Sequence, residues 1–132
     1  MLIGTKLYIL FYLVTGVLAT LTFVVTNPEE TIPLVGASGA IAGVLGSYLV
    51  LYPTHRVQSL VVFIFVQVPS VVFLGLWFFS QFAVRNPGVA WEAHVGGFIA
   101  GILLTLPFRS LLLKRVRALH QPATIPRLDR LA

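Results

Sequence analysis

The chain has 132 residues, of which 58% are hydrophobic and only 10% are charged, so we expect a one-domain integral membrane protein and not a water-soluble globule. The absence of cysteine excludes disulfides, thiolate nucleophiles and cysteine metal sites. The net charge of +5 comes from basic residues near the ends of apolar segments, a distribution that excludes a nucleic-acid-binding surface.

Four apolar segments follow one another along the chain, and each predicts a helix that crosses the bilayer. Short connections rich in Pro, Asn, Glu and Arg separate them. The segments are residues 7–26, 34–52, 60–82 and 93–108. Pro69 lies near the middle of the third segment, where it removes a backbone hydrogen bond and is expected to bend the helix. The predicted fold class is all-α, a polytopic transmembrane bundle of about four helices.

The basic residues are distributed unequally between the two sides of such a bundle. Only Arg85 falls on one side, and eight basic residues fall on the other: Lys6, Arg56, Arg109, Lys114, Arg115, Arg117, Arg127 and Arg130. The positive-inside rule then places both termini in the cytoplasm and the loops at 27–33 and 85–92 outside. A signal peptide is an alternative interpretation of the first segment, although its apolar run is longer than an h-region of roughly 7–15 residues.

The C-terminal residues differ in composition from the apolar core. Residues 110–132 are basic and contain Pro122 and Pro126. We interpret residues 1–109 as the membrane core and 110–132 as a cytoplasmic tail attracted to anionic lipid. A topology anchor followed by a disordered end explains the same composition.

Two residues of reactive type lie near the outer ends of the second and fourth predicted helices. Ser38 and His94 are at similar depth, because both helices run from outside to inside. Small residues follow each of them on one face, Gly46 after Ser38, and Gly97 and Gly101 after His94. Faces of this kind let transmembrane helices approach closely, so we expect Ser38 and His94 to meet at the top of one seam.

A serine beside a histidine suits nucleophilic acyl transfer. The Ser38 hydroxyl needs a base, and the neutral His94 imidazole would take its proton and return it to the leaving amine. Glu92 is two residues from His94 and points to another helix face, so the sequence predicts a dyad without an acidic third member. The Ser38 amide, at a helix start, is placed to donate to an oxyanion.

Each signal also has a structural explanation. Glycine and serine stripes in membrane helices often serve packing alone, and a histidine near the interface is readily solvated. A small transporter or channel subunit is a further alternative. Against it, His94 is the only ionisable residue expected at depth, and no charged relay crosses the membrane.

Taken together, the two motifs resemble the rhomboid family of intramembrane serine proteases. Gly-Ala-Ser-Gly-Ala-Ile-Ala-Gly at residues 36–43 contains the GxSG pattern. Ala-His-Val-Gly-Gly-Phe-Ile-Ala-Gly at residues 93–101 contains AHxxGxxxG, in the family's order and on the second helix after the serine. The loop at 27–33 also resembles bacterial and archaeal members, and the likeness extends to about Phe108.

The resemblance implies an intramembrane serine endopeptidase that cleaves transmembrane protein substrates, with Ser38 as nucleophile and His94 as general base. It also assigns backbone positions for oxyanion binding and close helix packing, namely Gly36, Ser38, Gly39, Gly97 and Gly101. No metal or organic cofactor is implied, and the expected partners are the lipid bilayer and transmembrane substrates, not nucleic acid. The expected location is a prokaryotic cell membrane.

The family's core has six helices, and the four predicted helices correspond to its C-terminal four, a truncated form of the fold. The HxxxN motif of the family's second helix, which contributes to the oxyanion site, has no counterpart here. A separate N-terminal portion of the fold is therefore an expected partner. The alternative function is an inactive rhomboid-like fragment or pseudoprotease that binds transmembrane clients.

Overall fold

The computed structural model describes residues 3–31, 33–34, 37–61, 63–83 and 88–120. In chain order the elements are α1 Gly4–Thr26, α2 Ser38–Leu51, β1 Arg56–Val61, β2 Ile64–Pro69, α3 Ser70–Ala83, α4 Trp91–Thr105, a 3-10 turn Leu106–Phe108, and α5 Arg109–His120. Helices make up most of the described chain, which confirms the predicted all-α bundle. Arg85 and the last basic residues, Arg127 and Arg130, lie outside the described ranges.

Two helical runs in the described chain are long and apolar enough to cross a membrane. They are Gly4–Thr26 and the continuous run Trp91–Leu119, which contains α4 and most of α5. Ser38–Leu51 and Ser70–Ala83 are shorter apolar helices of 14 residues each. At ~1.5 Å per residue a helix of that length covers about two thirds of a ~30 Å hydrocarbon core.

α2 and α4 pack side by side in parallel, and glycines set how closely they approach. A methyl group added at Gly97 would overlap the carbonyl oxygen of Gly39, and one added at Gly101 would overlap that of Gly43. Their backbones therefore touch directly along the seam. Such contact gives van der Waals packing, which drives helix association in lipid.

α1 runs antiparallel to this pair and contacts both helices through small residues. A methyl group added at Gly43 would lie 2.5 Å from Cβ of Thr15, and one added at Gly39 would lie 2.6 Å from Cβ of Ala19. Thr15 is fully buried, and its hydroxyl is 3.0 Å from the carbonyl oxygens of both Phe11 and Tyr12. The buried hydroxyl is thus satisfied within its own helix.

α3 covers the other side of the α2–α4 pair and completes the core. Ala42, Leu74 and Phe98 form its buried centre. Two aromatic residues of α3 pack against Phe98, with ring centroids 5.5 Å away for Trp77 and 5.1 Å away for Phe78. α3 is antiparallel to α4, so its C-terminal end lies beside the beginning of α4.

The prediction of one helix over residues 60–82 was wrong in its first part. The chain forms an antiparallel hairpin of β1 and β2, with Gln58 opposite Gln67 and Val61 opposite Ile64. Only Ser70–Ala83 of that segment is helical. Its first part is rich in β-branched and aromatic residues, which favour strands, and hydrophobicity alone does not distinguish the two structures.

Pro69 ends the second strand and does not bend a helix, contrary to the prediction. It lies opposite Arg56, and the next backbone N–H, that of Ser70, donates to the carbonyl of His55 at 2.8 Å. Hydrogen-bonded and non-hydrogen-bonded pairs alternate in an antiparallel ladder, so Pro69 occupies a position where no N–H is required.

The helix that begins at Trp91 continues beyond the predicted end at residue 108. A 3-10 turn at Leu106–Phe108 leads directly into α5, Arg109–His120. Residues 110–120 of the predicted tail are therefore helical, and residues 121–132 lie outside the described ranges.

Candidate active site

Ser38 is the first residue of α2 and lies at one end of the bundle. At the start of this helix the N–H of Ile41 donates to the carbonyl of Ala37, the residue before Ser38, at 3.0 Å. The N–H groups of Ser38, Gly39 and Ala40 precede it and belong to the first turn, where a helix offers no internal acceptor. The positive end of the helix dipole lies here too, so negative charge beside Ser38 is stabilised.

His94 lies in the first turn of α4, and its ring reaches across the seam to Ser38. Nε2 of His94 is 2.8 Å from Oγ of Ser38, although 56 positions separate the two residues in the sequence. Gly39 and Gly97 touch in the layer directly below this pair. Since bulkier residues there would separate α2 from α4, the glycine contact keeps the hydroxyl and the imidazole within hydrogen-bond reach.

The second ring nitrogen of His94 bonds to a glutamine on α3. Nδ1 of His94 is 2.8 Å from Oε1 of Gln81, and Nε2 of Gln81 donates to the carbonyl of Trp77 at 3.1 Å. The amide nitrogen is thus engaged elsewhere, and the amide oxygen faces the ring. In the neutral imidazole the hydrogen therefore resides on Nδ1, and the Nε2 lone pair is free to accept the Ser38 proton.

The sequence did not predict Gln81 as a site residue, because the group that orients a catalytic histidine is usually a carboxylate. The structure instead places a neutral amide against Nδ1 of His94. One signal in the sequence pointed to it: Gln81 is a polar residue near the outer end of a mostly apolar segment, at the predicted depth of Ser38 and His94. Its contact with His94 depends on how α3 packs, which the sequence pattern does not specify.

Aromatic packing supports the ring of His94 from the side of α3. The ring centroid of Trp77 is 6.3 Å from that of His94, and Trp77 also packs on Phe98 below it. Trp77 thus contributes both a ring contact to His94 and the carbonyl that holds Gln81. These contacts restrict the rotation of the imidazole.

A groove opens beside Ser38 on the opposite side, between α1 and α2. Its volume is about 380 Å³, and its walls include Tyr12, Val17, Leu34 and Ala93. The lining is mostly apolar. An apolar chain in this groove would lie directly beside the Ser38 hydroxyl.

The glycines predicted for this site have two different outcomes. Gly39, Gly97 and Gly101 lie on the α2–α4 seam, and all three are buried. Gly36 lies outside the described residues. In the described part of the chain, no group of three or more His, Asp or Glu side chains is arranged to hold a metal ion.

Comparison with known proteins identifies the family of the chain. The family model of the rhomboid domain matches residues 1–111, a range that includes Ser38, Gln81 and His94. No curated protein and no solved structure matches the chain. The family consists of membrane proteins, and the chain has two helical runs long and apolar enough to cross a membrane. Because the match covers most of the sequence, the chain belongs to the rhomboid family.

Proposed function

We propose that this protein is an intramembrane serine endopeptidase that cleaves transmembrane protein substrates. Ser38 is the nucleophile and His94 is the general base. One observation carries the proposal: the Ser38 hydroxyl lies 2.8 Å from His94 Nε2, while Gln81 holds the hydrogen of the ring on Nδ1. A serine, a base and a group that orients the base are the elements of an activated nucleophile.

The first half of the reaction forms an acyl-enzyme. Ser38 Oγ attacks the scissile carbonyl carbon as its proton passes to His94 Nε2. The carbonyl oxygen becomes an oxyanion, and the N–H groups of Ser38 and Gly39 in the first turn of α2 donate to it. The protonated His94 then gives its proton to the amide nitrogen, the C–N bond breaks, and the amine product leaves.

The second half releases the acid product. A water molecule gives a proton to His94 Nε2 and attacks the ester carbonyl, which forms a second tetrahedral intermediate. The bond to Ser38 Oγ breaks, and the proton on His94 returns to the serine. Throughout both halves Gln81 accepts from Nδ1, so the ring keeps its orientation in both its neutral and its protonated forms.

The substrate class follows from the surroundings of Ser38. The groove beside it is mostly apolar and lies at the end of a helix bundle. An apolar segment leaving the bilayer fits such a groove better than a polar soluble peptide does.

The enzyme resides in a prokaryotic cell membrane with both termini in the cytoplasm, and the site is at the outer end of the bundle.

The proposal is tested by labelling membranes that contain this chain with a fluorophosphonate probe, which reacts with activated serines. We expect labelling of the unmodified chain, and Ser38→Ala and His94→Ala should each lower it by a factor of at least about 10³. Ser47→Ala is the matched control, because Ser47 lies on the same helix and its hydroxyl bonds to Thr105 at 2.9 Å. This control should label normally.

Two results would contradict the proposal. Labelling that survives Ser38→Ala would mean that the probe reacts elsewhere. A folded, membrane-inserted chain that never labels would favour the alternative function, in which the same fold binds transmembrane clients without cleaving them.

A further inference from the structure

A second cavity lies at the opposite end of the bundle from Ser38 and His94. Its volume is about 710 Å³, and it is lined by residues 51–56, at and after the end of α2, and by Arg109 at the start of α5. Two arginines and a histidine line it, namely Arg56, Arg109 and His55. The proposed protease mechanism uses none of them.

The loop that forms this cavity is fixed by hydrogen bonds to the beginning of α3. The N–H of Ser70 donates to the carbonyl of His55 at 2.8 Å, and the N–H of Val71 donates to the carbonyl of Pro53 at 3.0 Å. The Ser70 hydroxyl also donates to the carbonyl of Tyr52. The cavity wall is therefore preorganised, which lowers the entropic cost of binding a ligand.

Two of the polar side chains are also held in position. The Tyr48 hydroxyl lies 2.5 Å from Nδ1 of His55, and when Tyr48 donates, Nε2 of His55 carries the hydrogen of the neutral ring. Nε of Arg109 donates to the carbonyl of Val50 at 2.9 Å, which leaves its two terminal nitrogens as donors. The lining thus presents several N–H donors.

The charge around this cavity is positive without a nearby compensating carboxylate. In the part of the chain that the structure describes, the acidic residues are Glu29, Glu30 and Glu92, all at the Ser38 end. The 14 residues of α2 separate the two ends by about 21 Å. This exceeds a Debye length of about 8–10 Å, so these acids do not neutralise the arginines.

We infer that this cavity binds a phosphate group. A guanidinium group can donate two parallel hydrogen bonds to two oxygens of one phosphate. Arg56 and Arg109 therefore supply charge-assisted hydrogen bonds, and His55 Nε2 supplies a further donor. Phosphate can come from an anionic phospholipid headgroup or from a free phosphate in solution, and the chemistry of recognition is the same. This inference is independent of the proposed protease activity.

The experiment uses the full chain, purified in detergent micelles and incubated with phosphatidylglycerol, and native mass spectrometry measures how much lipid stays bound. Arg56→Gln is the test variant, because Arg56 is exposed and lies at the edge of the hairpin. Arg115→Gln is the matched control, with the same change of charge on an exposed α5 residue outside the cavity. We expect about tenfold weaker retention for Arg56→Gln and no change for Arg115→Gln.

A second arm identifies the source of the phosphate. Inorganic phosphate is titrated against the lipid-free chain, and the phosphorus NMR line width reports binding. Lipid retention that depends on Arg56 supports a headgroup ligand, and line broadening that depends on Arg56 supports a free phosphate. Equal losses in Arg56→Gln and Arg115→Gln would overturn the inference, since binding would then follow net charge. Absence of binding in both arms would also overturn it.

Discussion

At the scale of single residues, Gln81 shows how the proposed general base, His94, can be oriented without a buried charge. In water-soluble serine proteases a carboxylate bonded to the histidine does this. A carboxylate in a partly apolar site requires desolvation of its charge, which is costly near the hydrocarbon core. A glutamine amide accepts the same hydrogen bond as a neutral group. Gln81 thus fixes the tautomer of His94 without the free-energy cost of desolvating a carboxylate.

Replacing Gln81 tests this function directly. Gln81→Leu removes the acceptor of the Nδ1 hydrogen, so the His94 ring can rotate and the hydrogen can occupy either nitrogen. A neutral hydrogen bond contributes about 0.5–1.5 kcal/mol, so kcat should fall by a factor of about 2 to 13. The measurement is the turnover of a transmembrane reporter substrate in reconstituted vesicles. KM should change little, because Gln81 faces His94 and not the groove.

Two further variants make the Gln81 experiment specific. Gln81→Glu retains an oxygen acceptor and should restore most of the lost kcat. Gln67→Leu is the matched control, because it also replaces a glutamine with leucine, at an exposed position in the hairpin. It should leave kcat unchanged. Equal loss in Gln81→Leu and Gln81→Glu would show that Gln81 acts through packing alone.

At the scale of elements, the glycine contacts between α2 and α4 determine whether the two reactive groups can meet. The Gly101→Ala variant places a methyl group against the carbonyl oxygen of Gly43, and neither backbone can move aside easily. Overpacking of this kind costs about 1–3 kcal/mol. We therefore expect the free energy of unfolding in micelles to fall by this amount. The fluorescence of Trp77 and Trp91 measures the unfolding.

Gly75 provides the matched control for this prediction. It also lies inside a helix, but a methyl group added there would meet no atom within 4 Å. Gly75→Ala should therefore leave the unfolding free energy unchanged or raise it by up to about 1 kcal/mol, because alanine favours helix more than glycine does. If both variants lost the same stability, the cost would not come from the seam.

The elements also show how far the sequence predicts this fold. The first and second helices and the start of the fourth agree with the predicted segments to within a few residues, since a long apolar run in lipid has few alternatives to helix. The hairpin was not predicted because its turn lacks the usual glycine or asparagine signal. Phe63 occupies the left-handed region there, with φ of 69°, a conformation rare for an aromatic residue.

The sequence predicted those residues of the candidate site whose positions depend on spacing along a single helix. Ser38 and His94 share depth and small-residue faces, which are properties of the sequence. Gln81 lies on α3, whose position depends on where the hairpin ends and the helix begins. A pattern that predicted helix from residue 60 could not place Gln81 beside His94.

At the scale of the whole molecule, charge is separated along the bundle axis. The described acidic residues lie at the end that holds Ser38, and Arg56 and Arg109 lie at the other end with the basic helix α5. Lys and Arg are retained on the cytoplasmic side of membrane proteins. This charge distribution supports the proposed orientation, with Ser38 outside and the basic cavity inside.

This orientation is testable with single cysteines, because the natural chain contains none. Glu29 lies in the loop before α2, and Thr54 lies in the exposed loop after it, so Glu29→Cys and Thr54→Cys place one cysteine at each end. A membrane-impermeant maleimide should label Glu29→Cys in intact cells and Thr54→Cys only after the membrane is opened. The reverse pattern would place Ser38 and His94 at the cytoplasmic face, and substrates would then be cut at their inner ends. It would also put Arg56 and Arg109 outside, away from the anionic cytoplasmic leaflet that attracts basic residues.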